Sequence, residues 1–452
     1  MNLLIKLKTG FKKKAVLTVV VLFTLAACNG GGGTGETTPT PTQQEDIVLI
    51  WWNMFEPKEN VQPLIDAYES AHPNVTIQYD EKGVNDGVDG YRSTLNTVLS
   101  DEDALSTPDI FIVHNSWVDK YKQFIRVASE SDVARNNFSD FYPIVENDFS
   151  DSSGIYGLPL YLDTLSIIYN KNKLIESGYT VPSDDWSEFQ TQAKNLTKRS
   201  ANNQIVSAGF SANIVKNTEF YFDLINLLFL QNGVNMTDTT GEDAIFGTEP
   251  ELTKAKDALT FYQDFLKGDK ATWSDDLKID IASFLEKKLA MFAAPSWRLI
   301  NILDYNQKYN LGLDVGVVPM PQLGGDKTVA WPTYWAQTVA KDSANPTAAW
   351  DFINFITQAE QLQLLDSTVQ QNGRPFGILF PRKSMESQII DSVQFKDTLG
   401  PYVQQFSKLG DWPMVDGFAV RQVFDDEFDK GSDLTTIESR VDSIIQSKGD
   451  PP

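Results

Sequence analysis

The stretch "DIVLIWWNMFEPKENVQPLIDAYESAHPNVTIQYD" (46–80), continued by "YRSTLNTVLSDEDALSTPDIFIVHNSW" (91–117), decides the fold class. Its opening, "DIVLIWW" (46–52), is a continuous apolar run, the pattern of a strand buried on both faces. In 59–73, Val61, Leu64, Ile65 and Tyr68 fall on one helical face and a proline ends the run. "VTIQYD" (75–80) reads as a second strand, 91–104 as a second helix and "PDIFIVH" (108–114) as a third strand. Strand and helix alternating in this way predict a parallel, doubly wound sheet. Such sheets take ligands at the carboxyl ends of their strands, and those ends carry "WWNMF" (51–55) and "HNSWVD" (114–119).

Upstream of this run, "KLKTGFKKKAVLTVVVLF" (6–23) holds five lysines and no acid. The apolar stretch 15–27 has 13 residues, short of the roughly 18 that would span a bilayer. A basic start, a short apolar middle and small residues at the end have the anatomy of a secretory signal. Leu25-Ala26-Ala27-Cys28 is similar to the lipobox of bacterial lipoproteins. That resemblance implies a signal peptide over 1–27, removal before Cys28, and lipid on Cys28 as a membrane anchor. Stable anchoring takes more than one acyl chain. Residues 28–45, rich in glycine, threonine and proline, read as a flexible tether.

The formal net charge is −23, and removing the five leader lysines takes it to −28. No basic stripe interrupts this acidity, which argues against nucleic acid as a partner. One cysteine excludes an intramolecular disulfide, and with two histidines there is no ligand set for a zinc site. His72 reads as a solvated turn residue. His114 sits where it would face a cleft, but no nucleophile motif such as G-x-S-x-G accompanies it. Neither P-loop nor dinucleotide fingerprint occurs, so no cofactor and no metal is expected. The mature length, with 41% hydrophobic residues in the whole chain, suffices for two domains.

Further along, "LSIIYN" (165–170), "VSAGF" (206–210) and "LDVGVVPMP" (313–321) read as strands among long helical stretches, including 347–367. The charged tail 428–447 reads as a surface helix. Several segments together resemble one family, the extracellular solute-binding lipoproteins of ABC importers in the carbohydrate-binding, maltose-binding-protein-like group. They are "VQPLIDAYESAHPNVTIQY" (61–79), "TPDIFIVHNSWVDKYKQFI" (107–125), "GIYGLPLYLDTLSIIYNKNKLIESGYTVPSDDWSEF" (154–189), "FLEKKLAMFAAPSWRL" (284–299), "VGVVPMPQLGGD" (315–326), "NPTAAWDFINFIT" (345–357) and "RPFGILFPRKS" (374–384), in family order. The resemblance implies a two-lobed α/β fold of the periplasmic-binding-protein type (type II), each lobe a mainly parallel sheet flanked by helices. Lobe 1 would be 46–162 plus 338–380 and lobe 2 163–337 plus 381–452, with crossings near Leu162, Thr338 and Phe380. It also implies a cleft between the lobes, an extracytoplasmic location, an ABC permease as partner, no catalysis, and a monomer.

Sugars have apolar C–H faces and a rim of hydroxyls, so a site needs flat aromatic rings and fixed polar groups. Trp51, Trp117, Trp297, Trp331, Trp335 and Trp412 lie at strand ends or in loops that the family uses for its cleft. Trp350 reads as core, Trp186 as a packing residue at a helix start, and Trp52 alternates with Trp51 to the other face. For the polar rim, Asp163 matches the family's ligand-contacting acid at the crossing. Asn53 and Asn115 follow strands, Asp416 would share a helical face with Trp412, and Tyr161 and Tyr334 are further walls. A polyamine would also suit the acidity and an aromatic box. A surface glycoside hydrolase would need a spaced carboxyl pair, which 61 acids make easy to imagine and impossible to assign by counting.

Overall fold

Apolar runs become strands wherever they can be covered on both faces, and the chain supplies enough of them for two sheets. A computed structural model describes residues 45–100, 107–129, 132–133, 137–324 and 328–448. The leader, Cys28 and most of the tether lie outside the described residues. The first sheet runs Val75–Glu81, Ile47–Asn53, Ile110–His114, Trp335–Val339, Leu158–Pro159 in spatial order. Its first three strands are parallel, as the alternation predicts. Helix Lys58–Ala71 buries the expected Val61, Leu64, Ile65 and Tyr68 and is capped by His72, whose Nε2 lies 3.3 Å from Asp351.

The second sheet runs Val315–Pro319, Ser166–Asn170, Leu289–Ala294, Ile205–Phe210, Lys198–Arg199. It is mixed, with one parallel pair, Leu289–Ala294 against Ile205–Phe210. Each sheet receives an antiparallel strand where the chain crosses between lobes. One of these, Trp335–Val339, pairs with Ile110–His114, Thr338 opposite Phe111. The second crossing therefore ends before Trp335, a few residues earlier than Thr338. Pro159 ends a strand of the first sheet and Ser166 begins one of the second, with Leu162 in the segment between them.

The interior divides into two apolar clusters: one takes in the first sheet and one face of the second, with Ile168, Leu289 and Phe292, and the other packs on the opposite face of the second sheet, with Ile167, Tyr169 and Met291. Trp350 is in the first, its Nε1 donating to Arg126 O; Trp186 is in the second, its Nε1 donating to Gln231 Oε1. Two stretches that read as single helices are divided. At 347–367 the break is at Thr357–Gln358, between Pro346–Ile356 and Ala359–Gln371. In the tail, Gly431 adopts φ 76° and ends Gly417–Lys430, and Asp433 caps Leu434–Gln446.

Candidate functional site

A cleft of about 620 Å³ opens between the two sheets, at the carboxyl ends of Ile47–Asn53 and Ile110–His114. The residues at and just past those ends form one wall: Phe55 and Glu56 after the first strand, His114 at the end of the other and Asn115 and Ser116 after it. Phe55 is 46% exposed and sits at φ 68°. A bulky residue in the left-handed region is strained, a feature that gathers at ligand sites. Across from it, helix Ser296–Tyr309 begins inside the cleft and presents Trp297, Ile300 and Asn301.

The antiparallel register explains how Asp163 arrives there. Ala294 pairs with Ser166, which lays Asp163, three residues before, beside Ser296, two residues after. The Asp163 carboxylate accepts from Ser296 N (3.0 Å to each oxygen), Ser296 Oγ (2.7 Å) and Thr164 N (2.8 Å). Burial pushes it up to about 6 even so.

Four of the aromatic rings read from the sequence line the cleft: Tyr161, Trp297, Trp331 and Trp335. Trp297 is 43% exposed, with its ring edge-on to Phe220 at 5.6 Å. Trp335 is half-buried and packs edge-to-face on Phe55 at 5.5 Å and Trp117 at 4.8 Å. Trp331 is fixed by its Nε1, which donates to Asp223 Oδ1 at 3.0 Å. Asn115 also lines the cleft; its Nδ2 donates to Asp411 Oδ2 at 2.9 Å, and its Oδ1 accepts from Tyr334 N at 3.3 Å.

Six expected residues are not brought to the cleft. Trp51 is fully buried, donating to Gln337 Oε1 and wedged between Tyr79 and Phe352. Asn53 is buried one residue before the strand releases the chain, and its Oδ1 accepts from Met54 N. Trp117 lies behind Trp335 and Phe418 rather than beside the cavity. Tyr334, alternating with Trp335, points inward and donates to Asp148 Oδ2 at 2.6 Å. Trp412 is buried and donates to Asn226 Oδ1. Asp416 shares no helix with Trp412. It is the N-cap of Gly417–Lys430 and is buried against Lys120 Nζ at 2.8 Å.

Several cleft groups carried no local signal. Glu56 and Arg374 form a 2.8 Å ion pair at one end, and Asp223, Phe418 and Arg421 come from the second lobe's helices. Asp411 is hydrogen-bonded to buried Asp148. Burial raises both carboxyls, Asp411 to about 6 and Asp148 well above its ordinary value. His114 is driven by burial down to about 3 and is neutral; its Nδ1 accepts from Ser116 N, leaving Nε2 to donate to Thr333 Oγ1. No group of residues able to hold a metal ion occurs among the described residues.

Residues 55–363 match the family model described as bacterial extracellular solute-binding protein. The maltotriose-binding protein of Pyrococcus abyssi (strain GE5 / Orsay) is 22% identical over 317 residues, 69% of this chain and 62% of that protein. The chain thus spans under two thirds of that relative's length. Two solved structures share the fold. The sugar-binding protein MalE of Xanthomonas citri superposes with a TM-score of 0.69 at 17% identity, covering 89% of this chain and 97% of that one. The cyclic alpha-maltosyl-1,6-maltose binding protein of Arthrobacter globiformis gives 0.68 at 14%, covering 89% and 98%. With more than half its length matched, the chain belongs to the bacterial extracellular solute-binding protein family.

Proposed function

We propose that this protein captures a carbohydrate in the cleft between its lobes and delivers it to an ABC importer, tethered outside the membrane by lipid on Cys28. One observation carries this reading: Tyr161, Trp297, Trp331 and Trp335 line a single cavity together with hydrogen-bonding side chains. Flat rings suit the C–H faces of sugar, and fixed amides and charged groups suit its hydroxyls. In this reading Asn115, Asn301, Glu56 and Arg374 serve the hydroxyls. Asp163, whose oxygens already accept from Ser296 and Thr164, holds the start of the Trp297 helix in place. The lobes close by rotation at the crossings, favoured by the contacts that ligand adds.

The test is a thermal shift of residues 45–452, which form one compact unit, against mono- and oligosaccharides with spermidine as a control. Ligand at 100 times its Kd stabilises by about 2.7 kcal/mol, or several degrees at roughly 2–4 °C per kcal/mol. A shift confined to one sugar series supports the proposal. A shift with spermidine alone, or with nothing in the panel, refutes it.

A further inference from the structure

The large side chains that remain well exposed include four aromatic residues among the described positions: Phe55, Trp297, Tyr305 and Tyr309, the last two 48% and 56% exposed. Phe55 and Trp297 line the cleft. Tyr305 and Tyr309 do not; they continue along helix Ser296–Tyr309, the helix that starts inside it. Trp297, Asn301, Tyr305 and Tyr309 are spaced four apart, so they form one stripe that rotates by only about 40° per step. Leu299 is buried on the far side of the helix, and buried Ile302 flanks the stripe beside Tyr309. At a rise of about 1.5 Å per residue, Tyr305 lies roughly 12 Å and Tyr309 roughly 18 Å along the axis from Trp297.

The two tyrosine rings stack on each other, 5.6 Å between centroids with planes at 27°. Lys308 Nζ lies 5.4 Å from the Tyr309 centroid, and Asp304 is on the same side of the helix. Two exposed rings stacked side by side on one helix offer a flat apolar face on which a ligand can lie. Protein interfaces are depleted of charge at their centres, whereas this stripe is punctuated by Asp304 and Lys308 and is joined to the solute cleft by half-buried Asn301, which lines it.

We infer that the stripe is an outer track for the same ligand: a linear glycan longer than the cleft lays its overhanging end across Tyr305 and Tyr309. The inference rests on the carbohydrate reading above and adds a chain-length preference to it. The cleft alone sets which sugar is bound; the track rewards residues beyond it.

Isothermal titration calorimetry of residues 45–452 tests this with linear α-1,4-glucans (maltose, maltotriose, maltoheptaose) and linear β-1,4-mannans (mannobiose, mannotriose, mannohexaose). In the series that binds, the longest member is expected to bind wild type about 10-fold tighter than the shortest, the worth of one or two stacking contacts. The double variant Tyr305→Ala/Tyr309→Ala is expected to lose that gain while keeping short-chain affinity within about twofold, because neither ring reaches the cleft. Binding of the short sugar with no gain on lengthening, or a gain that survives the double variant, overturns the track and leaves the carbohydrate reading intact. Failure of every member of both series overturns the track for these glycans, and the thermal-shift panel then decides whether the carbohydrate reading falls with it. A dimer in sedimentation that the double variant dissolves assigns the stripe to a second copy of the chain and also overturns the track.

Discussion

Replacing Asp163 by asparagine sets two effects against each other. The wild-type carboxylate accepts from Ser296 N and Oγ and from Thr164 N, which favours the charged form. Burial opposes it and prevails, lifting the group from 3.8 to about 6. A folded carboxyl held above its ordinary value contributes stability that is complete below about pH 4 and is lost as pH climbs through 6. Two units at about 1.36 kcal/mol each come to roughly 3 kcal/mol. The asparagine of Asp163→Asn does not titrate, so the variant lacks this slope; its altered hydrogen bonds shift stability by an amount that does not vary with pH. Asp280 and Asp411, also lifted to about 6 by burial, are present in both proteins and cancel. Guanidinium unfolding followed by tryptophan fluorescence at pH 4, 5, 6 and 7.5 gives the comparison. The wild-type-minus-variant difference is expected to move by roughly 3 kcal/mol in the variant's favour across that range. A constant difference would mean that the N–H and O–H donors balance burial, and one that moves in favour of wild type that they outweigh it; either would refute the reasoning.

Three further substitutions separate binding from folding. Trp297→Ala is expected to weaken sugar binding by about 10- to 100-fold with little change in Tm, since the ring is largely open to the cleft; titration calorimetry beside a melting curve checks both halves. Trp412→Ala should do the reverse, costing about 3–5 kcal/mol of stability for a buried ring and orphaning Asn226 Oδ1, with sugar affinity unchanged while the protein is folded. Asp416→Ala strands the buried Lys120 ammonium and should cost about 3–5 kcal/mol in chemical unfolding. Adding Lys120→Met should restore a large part of that loss; no restoration in the double-mutant cycle would deny that the two charges depend on each other.

The strands were legible because burial on both faces leaves an apolar run that needs no partner to be recognised: Ile47–Asn53 and Ile110–His114 are found where the pattern puts them. The site was legible where one local rule sufficed. Trp297 opens a helix directly after a buried strand, and Asn115 directly follows another. Which residue lines the cleft is not legible where the answer depends on one or two positions. Trp51 and Phe55 belong to the same strand end, yet only the residue past the last hydrogen bond reaches the cleft. Tyr334 and Trp335 are adjacent and point opposite ways, which the sequence alone leaves undecided. Groups such as Arg374, Phe418 and Arg421 are delivered by packing across hundreds of residues. The antiparallel entry of Trp335–Val339 likewise depends on a partner strand far upstream; neither leaves a local pattern to read.

That entry has a bearing on how the chain comes to be folded. The first sheet starts at Ile47, but Leu158–Pro159 joins it only through Trp335–Val339. The helices Pro346–Ile356 and Ala359–Gln371 then cover it, the latter against Lys58–Ala71. A nascent chain therefore lacks the means to complete its first lobe until its final quarter has been made. Contacts so distant along the chain form slowly. The first lobe is thus the one whose closure waits on the chain's later part, so a fragment ending before Ala359 would carry its first three strands and still leave the Lys58–Ala71 face uncovered.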